Sequence, residues 1–255
     1  MYTNILFDLD GTIIDSKEGI INAFEYALKK FNIEIQDRTK LEQFIGPPLI
    51  DTFINYYKFT EEQANQAIKE YREFYRKTGV LQNQLYPGIK QLIQTLCKNK
   101  KRVILATSKP EEFAKKILKT HGIKENFYFI SGATLDNTRN TKEKVIKYAI
   151  NNIKNVKLEE CIMIGDRRYD IEGAKINNIK SIGVTYGFGT QEELEKAGAD
   201  HIVADVNALE NIIMNSWHPI RGLQFRNRRF REKNFEGIQE SPFNKGAVAI
   251  ATGGS

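Results

Sequence analysis

The stretch Ile5-Leu6-Phe7-Asp8-Leu9-Asp10-Gly11-Thr12 decides the architecture. Its apolar opening, Ile5 to Phe7, predicts a buried strand that runs into two carboxylates and a glycine turn. In an open α/β sheet, ligands sit just past the carboxyl ends of the strands. Asp8 and Asp10 are two residues apart, so an extended backbone points both to one side. Two close carboxylates repel each other, and a hard divalent cation with oxygen ligands relieves that repulsion. Gly11 permits a tight turn that brings backbone N–H groups near a bound anion.

Outward from this stretch the chain is predominantly helical up to about Lys77. Asp15 and Glu18 fit a capping box, and Ile20, Phe24, Leu28 and Phe31 keep helical spacing. Further helical segments follow around the break Gly46-Pro47-Pro48, and Tyr86-Pro87-Gly88 marks a turn. Residues 16–81 therefore read as an all-helical insertion. An alternating pattern then takes over. Strands are predicted at 102–106, 127–130, 161–164, 181–184 and 201–203, and helices after Pro110, over 142–151 and over 170–176. Thr190 to Glu193 forms a second candidate capping box. Strands that alternate with helices predict an α/β fold, a doubly wound, Rossmann-like parallel sheet covered on both faces. The expected core is residues 1–15 and 82–214, with the helical insertion between them.

Bulk properties narrow the classes. The 255 residues are 41% hydrophobic and 27% charged, ordinary usage for a soluble globular chain. No apolar run approaches the ~20 residues of a membrane span, and no signal-peptide pattern opens the chain. The two cysteines, Cys97 and Cys161, are far apart in apolar contexts, which predicts reduced thiols and a cytoplasmic setting. The net charge of +6 is uneven: residues 215–255 carry +4, which leaves +2 for the rest. The body is not a basic protein. The Arg-rich tail, with Arg226, Arg228, Arg229 and Arg231 beside Phe225 and Phe230, is expected to be an incidental or disordered extension. Nucleic-acid binding through it is the competing reading.

The opening stretch resembles the nucleophile motif of the haloacid dehalogenase-like hydrolase superfamily, Asp-x-Asp-Gly-Thr. Three further elements of that superfamily can be placed in order: Thr107 in VILATSKP, Lys142 in TRNTKEKVI with Lys144 as its rival, and Gly165-Asp166-Arg167-Arg168-Tyr169-Asp170 after an apolar strand. The resemblance covers about residues 1–214 and implies phosphoryl transfer, a reaction that depends on positioning and charge neutralisation. It implies that Asp8 attacks phosphorus, that Asp10 serves as general acid and then base, and that Thr107 and Lys142 bind the phosphoryl oxygens. It implies Mg²⁺ as cofactor, held by Asp8, Asp166 and the backbone carbonyl of Asp10, with Asp170 behind it orienting Lys142 or a metal-bound water.

The stretches FIGPPL, YPGI, GDRRYDIEGAK and GVTYGFGTQEEL look most like the phosphoglycolate phosphatase-like branch, which includes 5′-nucleotidases and general phosphomonoesterases and carries a C1-type helical cap. Thr12 is typical of its phosphatases, and Asp10 argues against dehalogenase activity. The expected activity is hydrolysis of a small phosphorylated metabolite, with a phosphotransferase or mutase as the alternative. Gly11, Thr12 and Ser108 are expected to line the phosphate, and Gly46 and Pro47 to form part of a specificity loop reaching over it.

Overall fold

The computed structural model describes residues 1–136 and 138–215. From β1 (Asn4–Phe7) a tight turn leads to β2 (Ile14–Asp15), then to α1 (Lys17–Lys29), a 3-10 turn over Arg38–Phe44, α2 (Leu49–Asp51) with a π-helical turn over Thr52–Tyr56, and α3 (Glu61–Lys77). The chain returns through β3 (Gln84–Leu85) and then alternates: α4 (Ile89–Lys98), β4 (Arg102–Pro110), α5 (Glu111–Thr120), β5 (Phe127–Ala133), α6 (Lys142–Asn151), β6 (Cys161–Gly165), α7 (Arg168–Ile176), β7 (Lys180–Val184), α8 (Gln191–Ala197), β8 (His201–Val203) and α9 (Val206–Asn215). Beyond Asn215, the tail singled out in the sequence lies outside the described residues. Among the described residues no helix is long and apolar enough to cross a membrane.

Six strands form one parallel sheet in the order β5-β4-β1-β6-β7-β8. Side chains alternate across it, because successive strand residues face opposite ways. Ile5, Phe7, Val103, Leu105, Ile162 and Ile164 pack with α4, α5 and α9, while Leu6, Ile104 and Met163 pack with α6 and α7. Burial on both faces explains why these strands read as unbroken apolar runs rather than as alternating ones. Register then sets the site. Phe7 is level with Leu105 on one side and Ile164 on the other. Asp8, Thr107 and Asp166, each one or two residues further along, therefore emerge at the same edge.

The helical insertion has its own aromatic centre: Phe24 meets Phe44, Phe53 and Tyr71 at ring-centroid distances of 5.8, 5.6 and 5.1 Å. It joins the core through the antiparallel pair β2–β3, Ile14 opposite Leu85 and Asp15 opposite Gln84. At its base Gly19 lies so close to Gly79 that a Cβ on Gly19 would stand 2.2 Å from the Gly79 carbonyl oxygen. Helix α3 opens on a capping box in which Thr60 accepts from the Gln63 N–H and Gln63 reaches back to the Thr60 N–H.

The structure corrects both capping boxes expected from the sequence. Before α1 the cap position is Ser16, whose side chain makes no cap bond; Asp15 accepts from the Lys17 N–H, and Glu18 turns outward to Asn22 and Arg38. At α8 Thr190 does accept from the Glu193 N–H, but the Glu193 carboxylate is taken by Arg167 and Arg168. In both cases a partner distant in sequence or on the next turn outcompetes the local bond. The strands at 102 and 127 also run further than expected, to Pro110 and Ala133.

Candidate active site

Asp8 leaves β1 with its N–H bonded to Ile164 at 2.9 Å and its side chain nearly buried. The turn that follows is wound on one carbonyl: Leu9 O accepts from the N–H groups of Thr12, Ile13 and Ile14 at 3.3, 2.9 and 3.0 Å. Gly11 stands at φ +77°, and a Cβ there would lie 2.1 Å from an Asp166 carboxylate oxygen. A side chain at position 11 is thus excluded by both conformation and space.

Lys142, the first residue of α6, is buried and bridges two carboxylates. Its Nζ is 2.7 Å from Asp8 Oδ1 and 2.7 Å from Asp170 Oδ1, and it donates to the Ala106 carbonyl at 3.3 Å. Lys144 is exposed, so Lys142 is the lysine that reaches the strand ends. Asp166, fully buried, accepts from the Phe188 N–H at 2.8 Å and from the Thr12 hydroxyl at 3.4 Å. Tyr186 donates its hydroxyl to the Thr12 carbonyl at 3.1 Å, and this fastens the segment 186–188 over Asp166. Asp170 accepts from the Arg167 N–H at 3.1 Å.

Asp8, Asp166 and Asp170 can place one oxygen each within 4.8 Å of one another. Lys142 is the ammonium paired with two of them. Burial opposes the charge of Lys142, but Asp170 and Asp8 outweigh it and hold the ammonium protonated well above its ordinary range. Burial, then Asp170 and Asp8, push the Asp166 carboxyl well above its usual range. Three carboxylates around one ammonium leave a surplus of negative charge. The Asp8 and Asp170 oxygens that face Lys142 are buried with no hydrogen-bond donor besides it among the described residues. A donor set made only of hard oxygens, with excess charge and no Cys or His, fits a small divalent cation such as Mg²⁺.

Thr107 is buried and accepts the Lys109 N–H at 3.2 Å, which leaves its own O–H to donate. Ser108, next to it on β4, is half-buried. Asp10 lies apart from the carboxylate cluster: both its oxygens are 2.8 Å from Lys109 Nζ. The sequence points to Thr107 and Ser108; Lys109, the next residue of β4, carries no local signal beyond its place near the strand end. Gly46, at φ +105°, and half-buried Pro47 sit in the loop of the insertion that meets Arg167, whose Nη1 donates to the Ile45 carbonyl and whose Nε pairs with Glu193 at 3.0 Å. A cavity of about 430 Å³ is bordered by Asp15, Lys17, Glu42, Tyr86, Arg167 and Tyr186.

This placement of an Asp-x-Asp turn, a Thr, a Lys and an acidic loop along one sheet edge has counterparts. Residues 5–184 match the family model described as haloacid dehalogenase-like hydrolase. The chain belongs to the haloacid dehalogenase-like hydrolase family. It is 41% identical over 212 residues, covering 83% of this chain and 96% of the relative, to a protein of Pseudomonas aeruginosa named 5′-nucleotidase. It is 33% identical over 192 residues, covering 75% of this chain and 65% of the relative, to the tyrosine-protein kinase PtkA of Mycobacterium tuberculosis. A crystal structure of a predicted phosphatase from Clostridium acetobutylicum superposes with a TM-score of 0.81 at 46% identity, over 84% of this chain and 99% of that one. Within this hydrolase family the chain is an enzyme of the phosphatase kind.

Proposed function

We propose that the protein is a Mg²⁺-dependent phosphatase that hydrolyses a small phosphate monoester through an aspartyl-phosphate on Asp8. The observation that carries this reading is Asp8 at the end of the central strand, nearly buried and held 2.7 Å from Lys142, with Asp166 and Asp170 beside it. A carboxylate with its position fixed and its second oxygen available is a competent nucleophile. Asp8 forms a bond to phosphorus as the bond to the leaving oxygen breaks. The electron pair stays with that oxygen, which takes a proton from Asp10. Asp10, now a carboxylate, removes a proton from water as the water attacks phosphorus. The bond to Asp8 then breaks, and phosphate and free Asp8 result.

Lys142 and the Thr107 hydroxyl donate to the phosphoryl oxygens, with the Ser108 hydroxyl beside them, whereas the N–H groups of Gly11 and Thr12, expected to line the phosphate, are taken by the carbonyls of Ile14 and Leu9. Asp8, Asp166 and the Asp10 carbonyl would hold Mg²⁺, which neutralises phosphoryl charge when bound, and Asp170 keeps Lys142 in place. The helical insertion serves as the cap. Its Gly46-Pro47 loop, which meets Arg167 of the core, is the candidate specificity loop for the leaving group. The 5′-nucleotidase relative supports a small phosphorylated metabolite as substrate, and the two free thiols support a cytoplasmic setting. The kinase name of the mycobacterial relative favours, as second reading, transfer of the phosphoryl group to an acceptor hydroxyl instead of water.

The test is phosphate release from a panel of small esters (nucleoside monophosphates, phosphoglycolate, sugar phosphates and pyrophosphate) with Mg²⁺ and with EDTA. Release that requires metal and is lost in Asp8→Asn supports the reading. No release by folded protein, or release retained in Asp8→Asn, refutes it. Phosphate recovered on an acceptor rather than free establishes the second reading.

A further inference from the structure

The acid/base residue and the nucleophile are held by different lysines. Lys142 takes Asp8, and Lys109 takes both oxygens of Asp10 at 2.8 Å. Lysine side chains ordinarily lie in water, but the side chain of Lys109 is only 6% exposed and that of Asp10 only 16%.

Lys109 is restrained at both ends. Its backbone N–H is tied to the Thr107 hydroxyl at 3.2 Å, where β4 slips its register with β5 between Ala106 and Pro110. Its Nζ stands 4.7 Å from the ring centroid of Tyr75, on α3 of the helical insertion. The Tyr75 ring is itself fixed: it stacks on Tyr71 at 5.8 Å and 4°, and packs edge-on against Phe113 of the core at 5.4 Å. Its hydroxyl is buried without a hydrogen-bond partner among the described residues. What Tyr75 offers Lys109 is therefore the face of its ring, where an aromatic attracts a cation most strongly out of water.

An aspartate two residues from a cation-binding carboxylate has a competing option. Its carboxylate can turn to the cation, and a carboxylate bound there cannot carry or accept the substrate's proton. An ammonium that takes both oxygens removes that option, and it can keep one contact when the other oxygen carries a proton.

We infer that Lys109 is the positioning residue for Asp10 and that Tyr75, a residue of the cap, holds Lys109 in place, so that seating of the cap aligns the proton donor. This rests on the reading of Asp10 as general acid. The consequence is specific to the leaving group. An alkoxide needs its proton as the P–O bond breaks, whereas p-nitrophenolate leaves without one.

The test is kcat/KM, which reports the steps up to the first phosphoryl transfer, for p-nitrophenyl phosphate, phenyl phosphate and the alkyl phosphate that the protein hydrolyses fastest. These are measured with Mg²⁺ on wild type, Asp10→Asn, Lys109→Met, Lys109→Arg and Tyr75→Leu. Asp10→Asn should lose on the order of a thousandfold on the alkyl ester and far less on p-nitrophenyl phosphate. Lys109→Met should follow the same pattern with a loss of roughly a hundredfold, Lys109→Arg should recover part of it, and Tyr75→Leu should lose about tenfold on the alkyl ester alone. If Lys109→Met fails to fold, Lys109→Arg and Tyr75→Leu carry the comparison. Equal losses on all three esters in the Lys109 and Tyr75 variants, with Asp10→Asn discriminating, overturn this inference alone. Equal losses in Asp10→Asn as well overturn the role given to Asp10 and the inference with it.

Discussion

Asp166 is where one substitution separates what the fold prefers from what the chemistry needs. Asp166→Asn keeps the shape of the side chain and an acceptor for the Phe188 N–H at 2.8 Å, and removes one charge from a group whose oxygens lie within 4.8 Å. Two like unit charges at 4.8 Å repel by about 3.5 kcal/mol at an effective dielectric constant of ~20. The variant loses two such repulsions, to Asp8 and Asp170, along with the cost of burying the charge, and loses one attraction, to Arg167. The metal-free protein should then gain on the order of 3 kcal/mol, or roughly 6–12 °C in Tm for a chain of this size.

The pH dependence has a definite sign. Burial, Asp170 and Asp8 raise the folded carboxyl of Asp166 above its unfolded value, so the folded state binds that proton more tightly. The stability linked to it is fully present below the unfolded carboxylate's pKa of about 4 and is lost as pH rises toward the raised folded value. Thermal unfolding from pH 5 to 9, in EDTA and in saturating Mg²⁺, tests both points. Wild type in EDTA should weaken with rising pH and be rescued by Mg²⁺. Asp166→Asn in EDTA should be the more stable protein at pH 8, respond little to Mg²⁺, and release phosphate at least a hundredfold more slowly. An Asn variant less stable than wild type in EDTA at pH 8, or one with an undiminished Mg²⁺ shift, would refute the electrostatic argument.

Gly11→Ala places a Cβ 2.1 Å from Asp166 Oδ2 at φ +77°; it should lower Tm by several degrees and abolish the Mg²⁺-induced shift, both read by thermal unfolding. Arg167→Met unfastens the Ile45 carbonyl from the core, and loss of a charged hydrogen bond of ~1.5–3 kcal/mol should raise KM roughly tenfold to a hundredfold and reorder the ester panel, as steady-state kinetics will show. Thr60→Ala removes the cap of α3 and should cost about 1 kcal/mol, a drop of ~2–4 °C in Tm, with kcat unchanged.

The sheet was legible because both faces of its strands are buried, which turns β1, β4 and β6 into apolar runs, and because chemistry in such sheets gathers at strand ends. Asp8, Thr107, Lys142 and Asp166 could be named because their order resembles that of the family's motifs, and Lys142 meets Asp8 as that resemblance implies. What escaped depends on contacts between distant segments. Nothing local distinguishes Lys109 from other strand-end lysines until α3 brings Tyr75 over it. The turn at Tyr186 to Phe188 covers Asp166 through a backbone N–H, which any residue could supply. The two misassigned capping boxes failed for the same reason, since Glu18 and Glu193 found cations that no local pattern announces.

The strand pair β2–β3 gives the insertion a narrow stem: the chain departs at Asp15 and comes back directly alongside at Gln84. A module whose two ends emerge side by side can be exchanged in evolution as a cassette, with no strand of the main sheet re-threaded. Chemistry and recognition are thereby inherited on separate segments, and a new selectivity can be grafted without rebuilding the edge that bears Asp8, Thr107 and Asp166. The graft carries one obligation: an aromatic ring must again come to rest over Lys109, where Tyr75 lies now.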